Sequence, residues 1–211
     1  MFWSFWDLNL EQNLRKKREF LRREEEILAA TERLLNLNDD NVTVDRIASE
    51  VGIGKGTIYK HFKTKHDIVA KLIELEYAAR FEGLAANERT PLDRISDYVR
   101  QRLGQPLREQ HLREWHQSLR DYQQSESLSF LQSCWDKERF RLAELLDQMG
   151  CTSESRSPLT MAALLLSMIE GTLQIGASRL HPDLPEAIPT GILKWLEDSV
   201  KRGVARRVTV L

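Results

Sequence analysis

One stretch of 25 residues, Thr43 to Asp67, constrains the fold more than any other part of the chain. Thr43 is a typical helix N-cap residue. The apolar residues behind it recur at helical spacing and are followed by a glycine: Ile47, Ala48, Val51 and Gly52. The sequence Gly52-Ile53-Gly54 predicts a sharp turn anchored in a small core by Ile53. The pattern therefore predicts two short helices joined by a three-residue connection.

The second of these helices begins at about Lys55 and has two unlike faces. Ile58 and Phe62 lie four residues apart and would face inward. The outward face would be small, polar and cationic, with Gly56, Thr57 and Lys60 flanked by Tyr59 and His61. Such a face suits the major groove of DNA, because glycine lets the backbone approach while the other side chains can reach base edges or phosphates.

A further helix is expected to begin at Thr64, which forms a capping pair with Asp67. Lys65, in its first turn, can hold a phosphate together with the backbone N–H groups of the helix end. The formal net charge is only -1, but residues 15–23 carry six basic residues against one acidic, and residues 55–71 carry five lysines against one aspartate. Local patches would thus supply phosphate affinity, although an ordinary helical hairpin with a solvated basic face remains the alternative.

The same residues resemble a family motif, T-x-x-x-I-A-x-x-x-G-[VI]-[SG]-K-G-[TS]-[IL]-Y-x-[HY]-F-x-[ST]-K. On this motif the chain is similar to the TetR/AcrR family of bacterial helix-turn-helix transcriptional regulators over residues 24–75. One departure is Gly54, where many members have a serine or threonine cap. The resemblance implies that the residues at the family's usual DNA-contacting positions are Thr43, Lys55, Thr57, Tyr59, Lys60, His61 and Lys65.

The rest of the chain reads as helix throughout, so the expected fold is all-α with about nine helices. Later helices are expected at residues 64–86, from Pro91 to Gly104, and at 107–121, 127–149, 158–180 and 190–207. The expected domains are an aromatic and basic extension (1–19), a three-helix DNA-binding domain (20–70) and a larger helical regulatory and dimerisation domain (71–211). This division agrees with the architecture that the resemblance implies.

The N-terminal extension has three interpretations. Its aromatic residues are Phe2, Trp3, Phe5 and Trp6, and a basic run at residues 15–18 follows them. They could belong to a helical extension that covers apolar surface, to a basic arm that tracks the DNA backbone, or to an interfacial membrane contact. The first helix of the DNA-binding domain follows, with an apolar stripe of Phe20, Ile27, Leu34 and Leu35.

Two C-terminal helices are apolar enough to pair with another subunit. In the resembled family these helices form a four-helix bundle with their copies, which implies a homodimer. A dimer also agrees with the reading of a palindrome by two recognition helices. The alternative is that they close the core of a single chain. The predicted interface residues are Leu165, Met168, Ile169, Leu173, Gly176, Ile192, Trp195, Leu196 and Val200.

Between these helices and the DNA-binding domain lies the segment that in this family usually encloses a ligand. A small lipophilic or aromatic molecule would suit the aromatic residues found there, although each is a candidate for plain core as well. Ligand binding would relieve repression by favouring wrongly spaced recognition helices. The candidate ligand-binding residues are Trp115, His116, Leu119, Tyr122, Leu131, Trp135, Met168 and Glu170.

Other functional classes find little support in the sequence. No cofactor motif, metal-ligand spacing or catalytic motif is present, so neither enzyme activity nor a bound metal is predicted. Two cysteines, Cys134 and Cys151, favour the reducing cytoplasm, and no apolar run reaches the roughly 18 to 20 residues that span a bilayer. The N-terminus lacks the features of a secretory signal. The competing hypothesis is a helical DNA-binding adaptor that recruits a protein partner without a small-molecule inducer.

Overall fold

The computed structural model describes the backbone of residues 3–36, 42–85, 88–122, 125–150, 157–179 and 184–208. Side chains are described within these ranges for 10–36, 42–85, 88–122, 128–150, 157–174 and 187–201. The described residues form nine helices and no strand, which confirms the all-α prediction. The helices are α1 (Trp3–Asn36), α2 (Val44–Val51), α3 (Lys55–His61), α4 (Lys65–Ala85), α5 (Pro91–Gly104), α6 (Pro106–Asp121), α7 (Ser125–Gln148), α8 (Pro158–Arg179) and α9 (Leu184–Val208).

The chain divides into two compact units, residues 1–72 and 73–211, called unit 1 and unit 2 here. Unit 1 has a small core to which α1, α2, α3 and the start of α4 all contribute. Burying one side of each short helix fixes their packing, because apolar contact is the main driving force available to so small a unit. The buried residues of this core are Ile27, Leu28, Ala30, Leu34, Val42, Ile47, Ala48, Ile58, Phe62, Ile68, Val69 and Leu72.

The connection between α2 and α3 follows its sequence signals closely. Thr43 caps α2, its hydroxyl accepting a hydrogen bond from the Arg46 N–H at 3.3 Å. Gly52 ends α2 in the left-handed region at φ 73°, where a glycine is favoured because it has no Cβ. Gly54 differs from expectation: its φ of -74° is ordinary, so the turn itself requires only the first of the two glycines.

Helix α1 is continuous from Trp3 to Asn36, so its N-terminal part is helical, as the first interpretation of the extension expects. Residues 10–22 are exposed, and burial begins near Ile27. Phe20, assigned to the apolar stripe, is half exposed, although its ring has a partner described below. The side chains of the N-terminal aromatic residues, and Cys151 and Gly176 further along, lie outside what the structure describes.

Unit 2 has one large apolar core, to which α5, α7, α8, α9 and the end of α4 contribute. Thr90 caps α5, and Pro91 occupies the first turn as predicted. The helix α9 begins at Leu184, so the predicted start at residue 190 is wrong. Pro189 lies in the second turn of α9, where its missing N–H removes a single helix hydrogen bond. The predicted start was too late because proline usually ends or precedes a helix.

Five residues predicted for the dimer interface are buried in the core of their own chain: Leu165, Ile169, Leu173, Ile192 and Leu196. A side chain this deeply buried is not available to a second copy. The other predicted residues with described side chains, Met168, Trp195 and Val200, are partly buried against the same core. Among the described helices, none is both long enough and apolar enough to cross a membrane.

Candidate nucleic-acid interface and ligand cavity

The recognition helix α3 presents the two faces that its sequence predicts. Ile58 is 1% exposed and Phe62 is 7% exposed, so both anchor the helix in the core of unit 1. Tyr59 and Lys60 are exposed, as is Gly56, and Thr57 is half-buried. The helix is only seven residues long, and its position therefore depends on tertiary packing rather than on intrinsic helix propensity. This packing leaves the polar and cationic outer face open to a partner.

The N-terminus of α3 has no side-chain cap. Gly54 occupies the N-cap position, and its carbonyl accepts a hydrogen bond from the Thr57 N–H at 2.8 Å. Next to it, the Lys55 ammonium donates to the Asp45 carboxylate at 2.8 Å. This hydrogen bond raises the pKa of Lys55. A phosphate that binds Lys55 would therefore have to compete with an acid from α2.

His61 links the recognition helix to α1. Its ring stacks on that of Phe20, with the ring centroids 4.0 Å apart. Burial lowers the pKa of His61, which favours the neutral ring at pH 7. Its Nδ1 atom is buried without a hydrogen-bond partner among the described residues. A neutral imidazole can still donate one hydrogen bond to a phosphate oxygen.

The start of α4 is closed by the predicted capping pair. The Thr64 N–H donates to the Asp67 carboxylate at 2.8 Å, and the Asp67 N–H donates to the Thr64 hydroxyl at 3.2 Å. Lys65 is the first residue of the helix and is half-buried. All eight residues predicted to contact DNA thus lie in unit 1 with exposed or half-buried side chains. Their roles stay predictions.

Unit 2 contains a cavity of about 700 Å³. Four of the eight residues predicted to bind a ligand line it: His116, Leu131, Trp135 and Glu170. The other four lie outside its lining, since Trp115 and Leu119 are buried, Met168 packs on the core and Tyr122 follows the end of α6. The full lining is Tyr77, Arg80, Arg102, Glu109, Leu112, Arg113, His116, Arg120, Leu128, Leu131, Gln132, Trp135, Asp136, Glu138, Arg139, Leu166 and Glu170.

A buried ion-pair network forms one wall of the cavity. Glu109 on α6 accepts from Arg80 Nη2 at 2.6 Å and from Arg102 Nη2 at 2.8 Å. Glu138 on α7 accepts from Arg80 Nη1 at 3.3 Å and from the Tyr98 hydroxyl at 2.7 Å. All five side chains are buried. The hydrogen bonds among them join α4, α5, α6 and α7 within unit 2.

Sequence reasoning did not identify this network, because charged residues usually lie on the solvated face of a helix. A signal was nevertheless present. Arg80 is four residues before Leu84, and Arg102 is four residues after Tyr98, so each arginine shares a helix face with a residue that is buried. A charged residue in an apolar stripe indicates a buried partner of opposite charge.

Aromatic rings continue the wall next to this network. His116 stacks with Tyr77 at a centroid distance of 5.9 Å and meets the edge of Trp135 at 5.7 Å. Burial, together with the nearby Arg80 and Arg120 guanidinium groups, lowers the pKa of His116 to about 4. Burial also raises the pKa of Tyr77. Both rings are therefore neutral at physiological pH. The described residues include no group of three potential metal ligands.

The fold and the outer face of α3 define the class: a helix-turn-helix protein with a larger all-helical second unit. The sequence comparisons agree with this class. Residues 27–72 match the family model described as "Bacterial regulatory proteins, tetR family". This match places the sequence similarity to the family in the segment that contains α2, α3 and the start of α4.

Individual relatives cover less of the chain. An HTH-type transcriptional regulator of Staphylococcus aureus (strain USA300) is 49% identical over 35 residues, which are 17% of this chain and 19% of the relative. The same figures hold for a regulator of strain N315. The chain thus spans about a fifth of the length of these curated relatives.

Solved structures share the fold over most of the chain. E. coli NemR in its reduced form has a TM-score of 0.65 at 21% identity, and the alignment covers 83% of this chain and 96% of that protein. A TetR/AcrR-family regulator from Thermobifida fusca YX-ER1 has a TM-score of 0.63 at 22% identity, covering 82% and 97%. At these identities the likeness establishes the fold alone.

Proposed function

We propose that this chain is a sequence-specific DNA-binding transcriptional regulator, acting as a repressor that binds a palindromic operator. The observation that carries this proposal is the exposed cationic face of α3, which lies within the segment that matches the family model. The buried Ile58 and Phe62 hold this helix against the core of unit 1. Gly56 on this face lets the backbone approach the groove. Bacterial regulators of this kind act on DNA in the cytoplasm, which is where we place the protein.

The residues of this face divide into two roles. Thr57 and Lys60 are proposed to read base edges; the exposure of Lys60 and the partial exposure of Thr57 support this role. Tyr59, His61 and Lys65 are proposed to hold phosphates, which positions the helix without specifying sequence. Lys55 would exchange its Asp45 partner for a phosphate, and Thr43 would add a contact from the start of α2.

A homodimer follows from the short reading surface. One seven-residue helix reads few base pairs, whereas two copies about 34 to 36 Å apart read two successive major grooves. Several residues of α8 and α9 are candidates for the contact, because they are not fully buried within one chain. These are Leu164, which is 46% exposed, and the partly buried Met168, Trp195 and Val200.

The cavity in unit 2 supports release by a small molecule. Its volume of about 700 Å³ exceeds the roughly 300 Å³ at which pockets begin to enclose ligands. A ligand that binds one conformation more tightly would shift the population away from the DNA-binding state. A filled core at this position would instead favour the adaptor that recruits a protein partner.

The test is fluorescence anisotropy of the purified protein with DNA fragments from around its own coding region. An unrelated duplex of equal length is the comparison, and both are titrated at two salt concentrations. Tight binding that depends on sequence, at two subunits or a multiple per site, is the expected result. Weak and equal binding to both duplexes that disappears with salt would refute operator recognition and favour a phosphate-tracking surface.

Point variants separate the two roles. Tyr59→Phe and Lys65→Ala should weaken binding to all sequences and reduce its salt dependence, whereas substitutions of Thr57 or Lys60 should change the preferred sequence. Arg100→Ala is a matched control, because it removes a positive charge from an exposed position on α5 in unit 2. If all four variants bind like the control, the recognition helix has been assigned wrongly.

A further inference from the structure

The cavity wall in unit 2 has more buried donors than acceptors. Arg102 Nε, Arg113 Nη1 and Arg139 Nε are buried without a hydrogen-bond partner among the described residues. The buried acids are already engaged: Glu109 accepts from two arginines, and Glu138 accepts from an arginine and a tyrosine. Since native proteins rarely leave such donors unpaired, the wall is suited to a ligand that brings acceptors.

Two arginines of this wall converge on one carboxylate. Arg102 Nη2 donates to Glu170 Oε1, and Arg113 Nη1 lies 3.9 Å from Glu170 Oε2. This second distance fits an ion pair but is too long for a hydrogen bond. The arrangement resembles the way in which two guanidinium groups hold a ligand carboxylate, with Glu170 in the place of the ligand.

Glu170 is the acid of the network that can leave most easily. Its side chain is 41% exposed, whereas those of Glu109 and Glu138 are 6% exposed. If the Glu170 side chain rotated into water, its charge would be solvated. Arg102 would stay buried and would lose one of the carboxylates that pair with it. A buried guanidinium group without a sufficient counter-charge is strongly disfavoured, so another anion is favoured in the vacated position.

The lining of the same cavity also includes aromatic and aliphatic side chains. Trp135 is 39% exposed and meets the His116 ring edge-on, while Leu131 and Leu166 contribute aliphatic surface to the same cavity. An aromatic ring system can lie against such a wall through offset or edge-to-face contacts. The cavity thus combines an anion position with a surface for a planar apolar body.

We propose that this cavity binds an organic anion: a carboxylate on a flat aromatic body, held by Arg102 and Arg113 in the position that the Glu170 carboxylate occupies. This assignment rests on the ligand-responsive part of the proposed function and names the ligand class. Glu170 belongs to α8 and Arg102 to α5, so the incoming carboxylate would replace a link between two helices of unit 2. That replacement is the differential contact through which binding can change the conformation.

Isothermal titration calorimetry of the full chain at neutral pH provides the test. The probes are 2-naphthoate and its neutral counterpart 2-naphthamide, which share size and ring system. We expect 2-naphthoate to bind at least about tenfold more tightly, as a charge-assisted contact to a guanidinium group would produce. Equal affinity for the two probes, or no binding of either, overturns the proposal, and neither outcome depends on any variant folding.

Two variants and a control test the position of the anion. Glu170→Gln removes the competing carboxylate and should tighten 2-naphthoate binding by about fivefold, while Arg113→Met should weaken it about tenfold. Arg100→Met is the control, because Arg100 is 62% exposed and lies outside the cavity lining. A purely structural role for Glu170 predicts weaker binding after its replacement, so a loss of affinity in Glu170→Gln overturns the assignment.

Failure of this inference is distinguishable from failure of the proposed function. Probe affinity is measured without DNA, and operator binding is measured without a probe. Sequence-dependent DNA binding without preference for 2-naphthoate would overturn only the ligand class. The anisotropy of an operator complex titrated with 2-naphthoate then connects the two, because a ligand of the proposed kind should release the DNA.

Discussion

Replacing Glu109 with glutamine should destabilise unit 2 strongly, although the two side chains have nearly the same shape. Glu109 is 5% exposed and accepts hydrogen bonds from Arg80 at 2.6 Å and from Arg102 at 2.8 Å. The glutamine amide that replaces the carboxylate is neutral, and its NH₂ group donates hydrogen bonds. It would face the N–H groups of Arg80 and Arg102, which also donate. Both guanidinium groups would remain buried with one negative charge fewer between them.

The size of the effect follows from what remains. Arg80 keeps ion pairs with Glu76 and Glu138, and Arg102 keeps its hydrogen bond to Glu170, so neither arginine is left wholly uncompensated. Removing one partner from a buried ion pair typically costs about 3–5 kcal/mol. Because the remaining acids compensate in part, we expect a loss near 3 kcal/mol in the free energy of unfolding, toward the lower end of that range.

The pH dependence provides a second signature of the same interaction. Burial opposes ionisation of Glu109, but Arg102 and Arg80 prevail and hold its pKa below the ordinary value. A carboxylate with a depressed pKa in the folded state contributes stability that is complete above its unfolded pKa and is lost as the pH falls through the folded value. The difference between wild type and Glu109→Gln should therefore shrink in acid.

Urea unfolding followed by tryptophan fluorescence measures this difference, at equal protomer concentration because a dimer's stability depends on concentration. Glu114→Gln is the matched control: the same substitution on the same helix at an exposed position, expected to stay within about 0.5 kcal/mol of wild type. If Glu109→Gln loses no more stability than Glu114→Gln, or if its deficit is independent of pH, then the Glu109 carboxylate does not stabilise unit 2 through Arg80 and Arg102.

Three further predictions concern local features. Gly52→Ala should destabilise α2 by about 1 kcal/mol, because the φ of Gly52 is 73° and an alanine is strained there. Gly104→Ala is the control and should have no such effect. Hydrogen exchange should show faster amide exchange in α2 of the Gly52→Ala variant only. Thr90→Ala removes the N-cap of α5, in which the Thr90 hydroxyl accepts a hydrogen bond from the Asp93 N–H at 3.1 Å. The free energy of unfolding in urea should fall by about 1 kcal/mol. An unchanged unfolding midpoint would contradict the role of this cap. The pKa of His116 is lowered to about 4 in the folded protein, so the unfolded chain takes up a proton there at a higher pH than the folded protein does. The contribution of His116 to the free energy of unfolding is therefore complete above the unfolded pKa and is lost as the pH falls below it. His116→Gln should then flatten the loss of unfolding free energy between about pH 6.5 and pH 4, and an unchanged slope would exclude His116 as its source.

The segment around α2 and α3 could be predicted because its determinants are local. The Thr43 cap, the Gly52 turn and the Ile58 and Phe62 contacts each depend on residues only a few positions apart. Local signals of this kind agree with one another and with the final packing. The Thr64–Asp67 cap was predictable for the same reason. The contact residues on DNA stay predictions.

The cavity in unit 2 was predicted only in part, because its wall is assembled from distant parts of the chain. Arg80 and Glu138 are 58 residues apart, and Arg102 and Glu170 are 68 residues apart. No local pattern encodes such a pairing. Aromatic and apolar residues at helical spacing do not distinguish wall from core, so His116 and Trp135 line the cavity while Trp115 and Leu119, chosen on the same grounds, do not.

The same limit affected α8 and α9, where an apolar helix face fits a core as well as an interface. Leu165 and Leu196 are both fully buried in one chain, although their spacing suited a subunit contact. Distinguishing the two requires knowing how many neighbours surround each helix, which depends on tertiary packing. The exposed Leu164 and the buried Leu165 are neighbours, so one turn of α8 carries both a core residue and an exposed apolar residue.

A buried ion-pair network is a poor choice if stability is the only requirement, because apolar residues of similar volume often stabilise a core equally well or better. Here the network lies on the wall of a cavity, and its most exposed acid, Glu170, is the one that an incoming carboxylate could replace. An ion pair can exchange one discrete partner for another, as in conformational transitions that repack salt bridges. The cost in stability is thus consistent with a role in which Arg102 changes partner, and this role requires Glu170→Gln to bind an anionic probe more tightly than wild type does.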